Sequence, residues 1–393
     1  MKKILWKPPR LRIGEGAEGE RHATWLELFY DLLFAAVVAQ LTFELSQDLS
    51  WFGVLSFVVL GVPVWWAWVG QSFYATRFDT DDLGHRLFII AQMFAVATMA
   101  VNVHAGLDRG SAGFALSYAA VRFILVGEYL GAHVWVPAAR SLTKRFALGF
   151  GVAAFIWLVS AWVPSPARFY LWGIGLLIDF GTPLSAGEKL HSQLAPHASH
   201  LPERFALFIL IVMGETIAGV VMGLTKHAWD IKSGLTAGLG LIGSFSLWWI
   251  YFDHIDGAAI RAARAQGRIW LYQGWLYAHL PLVIGLAASA VGAQYAVASP
   301  QDQVLPPEKR WLLCGAVALI AFCIGCIQLI IDISRGEIQK TRLAFRFGGV
   351  GAVLALGALG GMSPLHLIGL LALVGGLQVI QEIFFNQPEP REK

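Results

Sequence analysis

Runs of roughly 20 mainly apolar residues, each broken by a short polar stretch, recur along the whole chain, and a helix of that length crosses the hydrocarbon of a bilayer. Twelve such spans are read near 23–45, 51–74, 86–104, 112–136, 145–163, 167–186, 205–225, 234–253, 270–296, 311–333, 343–361 and 363–385. The pattern predicts an all-α fold, a polytopic bundle of transmembrane helices. With the N-terminus inside, 22 of the 29 Lys and Arg fall on one side of these spans and 6 on the other, which leaves Arg122 alone within a span. Basic loops stay inside, so both termini are expected in the cytoplasm.

Two doublets recur at one spacing of 183 residues: Glu20-Arg21 with Glu203-Arg204, and Trp65-Trp66 with Trp248-Trp249. A duplicated unit of six helices is expected. The two repeats are parallel, because six crossings return the chain to the side on which it began. The expected organisation is a cytoplasmic N-terminal segment 1–22, a first repeat 23–186, a linker 187–203, a second repeat 204–385 and a cytoplasmic tail 386–393. Gly-xxx-Gly pairs at 127/131, 219/223, 234/238 and 357/361 mark places where helix backbones can approach closely.

Composition agrees with the spans. Hydrophobic residues make up 56% of the chain and charged ones 14%, with a mean hydropathy of +0.60, far from a soluble domain. The start, MKKILWKPPR, is basic, but Pro8-Pro9 and charges follow where a signal peptide needs an apolar core, so no cleavage is expected. Cys323 and Cys326 form a CxxC inside an apolar run and read, like Cys314, as small core residues. No lysine lies within a span, which removes a retinal-type Schiff base. Phosphate loops, zinc His-Glu-x-x-His patterns and Gly-x-Ser-x-Gly elbows are missing from the sequence. Neither an enzyme, nor a cofactor or metal site, nor nucleic-acid binding is therefore expected.

Acids and arginines at membrane depth are costly and mark function. Glu27 and Asp31 stand four apart on one face of the first helix, where two acids invite a shared proton or a bound cation. Asp179, near the centre of the sixth span, precedes Pro183 by one turn, and a proline frees the carbonyl one turn earlier. Glu215 sits near the middle of the seventh span between Gly214 and Gly219. Arg122 cannot lose its proton and must face a partner; Asp179 and Glu215, nearest the same depth, are the acids expected within its reach. Secondary candidates are Asp79, Asp81 and Asp82 at the cytoplasmic end of the second span, and Asp253 and Asp256 at that of the eighth.

The segments ERHATWLELFYDLLFAAVVAQL (20–41), TRFDTDDLGHRL (76–87), HLPERFALFILIVMGETI (200–217) and SLWWIYFD (246–253) resemble motifs of the bacterial low-temperature-requirement A family of multi-pass membrane proteins. The resemblance covers essentially the whole chain. It implies a polytopic inner-membrane protein and names no catalytic or transport residue.

The residues point to a secondary transporter or permease of a small solute, coupled to protons or a monovalent cation, whose partner is otherwise the lipid bilayer. Glu27, Asp31, Asp179 and Glu215 would be coupling sites, with Arg122 as counter-charge, and Glu27, Asp31 and Glu215 are expected around one hydrated site. The alternatives are a membrane enzyme or assembly factor using the acidic, aromatic cytoplasmic helix ends, and a membrane stress-response scaffold.

Overall fold

The computed structural model describes residues 7–12, 23–80, 82–187, 194, 196–226, 230–253 and 256–385. Asp81, residues 188–193 and 195 of the expected linker, and the expected tail lie outside them. Thirteen helices carry the described chain. They are α1 (Trp25–Gln47), α2 (Trp51–Arg77), α3 (Leu83–Val103), α4 (Ser111–Trp135), α5 (Arg140–Ser160), α6 (Ala167–Leu184) and α7 (His200–Thr225), then α8 (Ile231–Phe252), α9 (Ala258–Gln266), α10 (Ile269–Ala298), α11 (Pro307–Arg335), α12 (Lys340–Leu359) and α13 (Pro364–Phe385). The fold is an all-α polytopic bundle, as its apolar runs require.

Eleven of these helices are long and apolar enough to cross a membrane. The expected span at 167–186 is the exception. It forms α6, 18 residues long, but Arg168, Asp179 and its small polar residues hold its apolarity below that of the others. The protein is a multi-pass membrane protein.

Two compact units are formed, one from 1–44, 55–205 and 257–273, the other from 45–54, 206–256 and 274–393. In the first, α4 packs on α3 and α5, and α5 on α6. Tyr74, Phe78, Tyr129, Phe146 and Phe150 fill its aromatic core. In the second, α8 packs on α13, and α12 on α11 and α13. Here the 219/223 glycine pair is a helix contact: a Cβ on Gly219 would stand 2.3 Å from the Ala290 carbonyl oxygen, and one on Gly223 2.8 Å from that of Gln294. Gly131, Gly238 and Gly361, by contrast, have open space where a Cβ would sit.

Two short strands, β1 (Arg10–Leu11) and β2 (Phe78–Asp79), pair antiparallel and tie the N-terminal segment to the end of α2. The next turn starts α3. Asp82 takes extended backbone geometry and its carboxylate accepts the His85 N–H at 2.7 Å, the usual way an aspartate satisfies a helix's first free donors.

Candidate functional site

Thr24 and Glu27 open α1 by exchanging hydrogen bonds, Thr24 N–H to Glu27 Oε2 at 2.7 Å and Glu27 N–H to Thr24 Oγ1 at 3.3 Å. One turn further on the same face lies Asp31, and the gap between the two acids is one that a forked guanidinium can span. Arg204, in the second turn of α7, fills it. Its Nη1 lies 3.2 Å from Glu27 Oε1 and its Nη2 2.6 Å from Asp31 Oδ1. Trp68 of α2 donates its indole N–H to the same Asp31 oxygen at 2.7 Å. All four side chains are buried. Asp31 Oδ2 finds no hydrogen-bond partner among the described residues. His200, one turn before Arg204, sets its ring nitrogens 3.6 Å from Glu27 and 3.8 Å from Glu203.

Beside this cluster a cavity of about 530 Å³ opens between α1, α2, α3 and α7. Glu27, Asp79, His85, Arg86 and Arg204 give its walls both signs of charge, and Trp25, Phe29 and Tyr30 give them aromatic surface. Asp79 is held by Arg12 at 2.5 Å across the β1–β2 pair, and Asp82 also accepts the Lys7 backbone N–H at 2.5 Å.

A second polar cluster shares Tyr30, Gln71 and His85 with the cavity wall. Glu128 of α4, which points away from Arg122 along its helix, accepts from Gln71 at 3.4 Å and Gln92 at 3.3 Å, and His85 Nδ1 lies 3.3 Å from it. Tyr30 donates to Gln92 Oε1 at 2.9 Å, and Gln92 donates to Gln71 at 3.0 Å. Sequence reasoning missed this group. The signal was available in three polar residues, Gln71 within the apolar run of α2, and Gln92 within and His85 just before that of α3.

Arg122 has Asp179 as its partner, Nη2 to Oδ1 at 2.5 Å, and Tyr118 donates to the other oxygen at 2.6 Å. Both charges are fully buried, and the guanidinium lies 4.3 Å from the Phe150 ring centroid. A Cβ on Gly70 would meet Arg122 Nη1 at 2.5 Å, so the missing side chain there makes room for the arginine. Acid and base complete each other in this pair, which gives it the character of an internal brace.

In the second unit Glu215 is half-buried on α7, Asp253 ends α8, and Asp256 pairs with Arg335 at 2.6 Å. Arg122 is not the single arginine buried within a span. Arg346, fully buried on α12, bonds Gln328 at 2.9 Å, Gln378 at 2.7 Å and the Glu382 carboxylate. Its place near the start of the apolar run made it look like a loop residue. Arg342, one turn earlier, pairs with Asp332.

The family model described as "Bacterial low temperature requirement A protein (LtrA)" matches residues 22–379. The chain is also 27% identical over 321 residues to the uncharacterized protein RA0937 of Rhizobium meliloti (strain 1021), an alignment that covers 73% of this chain and 75% of that one.

Proposed function

The chain belongs to the bacterial low temperature requirement A family, and for it we propose secondary transport of a small polar solute, driven by protons or a monovalent cation. The cavity bordered by Glu27, Asp79, His85, Arg86 and Arg204 is the solute site, and its size and lining carry this reading. Small-molecule sites measure roughly 300–1,000 Å³ and combine apolar walls with a few fixed polar groups. Ionisable residues on a cavity among membrane helices mark solute and ion paths.

Arg204 gives the site a way to respond. Its guanidinium is shared between Glu27 and Asp31, and only Glu27 borders the cavity. A solute that engages Glu27 or Arg204, both on the cavity wall, changes the charge balance at Asp31, whose free Oδ2 then takes or gives up a proton or contacts a cation. In this reading the protein acts without chemistry on its solute, in the inner membrane, with both termini in the cytoplasm. Glu215 lies in the other unit, and no role in this site is assigned to it.

The test is uptake by proteoliposomes from pools of small polar solutes, with and without an inward proton or sodium gradient. Gradient-stimulated uptake of at least one pool is expected, reduced at least about tenfold in Glu27→Gln, in line with a site interaction of about 1.4 kcal/mol or more. No stimulated uptake in any pool, from protein shown to be folded, contradicts the proposal.

A further inference from the structure

Among the described residues, the buried carboxylate of Glu128 has no arginine or lysine paired with it. Glu128 is held by two neutral amides and by His85, its one ion-pair partner among the described residues. The amides are fixed in that role: Tyr30 occupies Gln92 Oε1, which turns the Gln92 nitrogen to Gln71 and Glu128, and Gln71 in turn presents its nitrogen to Glu128. Neutral donors orient a carboxylate but do not cancel its charge, and an uncancelled charge among membrane helices is costly. A single proton on the pair cancels it in either form, as imidazolium beside carboxylate or as imidazole beside carboxylic acid.

The geometry also fixes where that proton enters. His85 Nδ1 is directed at Glu128, so Nε2 is left as the ring's exchange atom. His85 borders both the 530 Å³ cavity and a second one of about 60 Å³, which Lys7, Tyr74, Asp82 and Glu128 also line. The other charged and titratable groups around the pair are Glu27 and Tyr30 of α1, Asp79 of β2, Arg86 of α3 and Arg204 of α7. Of the cations, Arg204 is held by Glu27 and Asp31, and neither Lys7 nor Arg86 forms an ion pair with Glu128 among the described residues.

We propose that His85 and Glu128 form a proton-binding couple, and that this couple, coming into contact with the solute cavity through His85, is the site at which proton movement is coupled to solute. A proton from cavity water adds to the Nε2 lone pair, giving the imidazolium–carboxylate pair, and leaves again to water by the same atom. The binding of the proton stands on the geometry alone. Its use in coupling rests on the transport reading above.

Histidine-selective ¹⁵N NMR on the full-length protein in detergent tests the first part without any solute. The His85 signal, assigned by its loss in His85→Asn, should titrate, and Glu128→Gln should lower its midpoint by about one pH unit or more, a tenfold loss of proton affinity. An unchanged midpoint overturns the couple. If Glu128→Gln is not recovered folded, Gln92→Leu serves instead: removing a neutral donor leaves the carboxylate more basic and should raise the midpoint, and no change there counts against the couple equally. Once a solute is known, proton-driven uptake that persists at full strength in Glu128→Gln overturns the coupling role. Absence of any transported solute, together with a normal shift in midpoint, would overturn the transport reading and leave the couple standing.

Discussion

At the residue scale, buried charges complete each other. Arg122 and Asp179 are both fully buried, so removing one strands the other. Arg122→Ala should cost about 3–5 kcal/mol, seen as a lower midpoint of thermal unfolding in detergent, and adding Asp179→Asn should restore part of it. Additive losses in the double variant would show that the two charges do not depend on each other. That Arg122 needs a partner was legible in the sequence, because a guanidinium keeps its charge; depth along the helices narrowed the partner to two acids. The partner of Asp31 was not legible. Arg204 lies 173 residues away, and its doublet with Glu203 stood out as a repeat marker, with nothing in local spacing to aim it at α1. Glu128 shows the same limit: helical spacing turned it away from Arg122 but could not say that Gln71, Gln92 and His85 converge there.

At the element scale, a capped helix end and a close helix contact each fix a part of the second unit. Asp230 caps α8, accepting the Ser233 N–H at 2.6 Å while Ser233 Oγ accepts the Asp230 N–H at 3.2 Å. The Ser233 backbone N–H, followed by its hydroxyl, holds the Asp230 carboxyl below its ordinary value of 3.8. A depressed folded pKa means the cap stabilises above the unfolded pKa and is lost as pH falls through the folded one. Amide exchange at Ser233 and Gly234 should therefore accelerate only below about pH 4, and Asp230→Asn should remove that acid limb. A wild-type limb near neutral pH would contradict the assignment. Between α7 and α10 the backbones approach at Gly219, and Gly219→Val should destabilise the protein by about 1–3 kcal/mol through overpacking. The same substitution at Gly238, which has open space, should cost distinctly less in the same unfolding assay. Sequence spacing marked both glycine pairs alike; only the facing backbone separates them.

At the scale of the whole molecule, the bilayer made most of the architecture readable. Each crossing needs roughly 20 apolar residues, so eleven of the twelve expected spans coincide with helices long and apolar enough to cross. The exception, α6, carries the Asp179 that braces Arg122, so one of the charges that lower its apolarity is matched inside the first unit. The charge asymmetry of the loops makes a direct prediction about orientation. Reporters fused after residue 142 and after residue 303 should give opposite responses, the first cytoplasmic; the reverse order would contradict the inside placement of the termini, and identical responses the count of spans.

If the cavity beside Arg204 is the solute site, a thiol placed in its wall competes with the solute for the same space. Ala75, a buried α2 residue on the cavity, is replaced by cysteine in a background lacking Cys314, Cys323 and Cys326, and labelled with a methanethiosulfonate reagent. The account predicts that labelling abolishes uptake and that saturating solute slows labelling at least about tenfold, as expected when about nine-tenths or more of the sites are occupied. Uptake unaffected by a bulky adduct at position 75, with a labelling rate indifferent to solute, would contradict it.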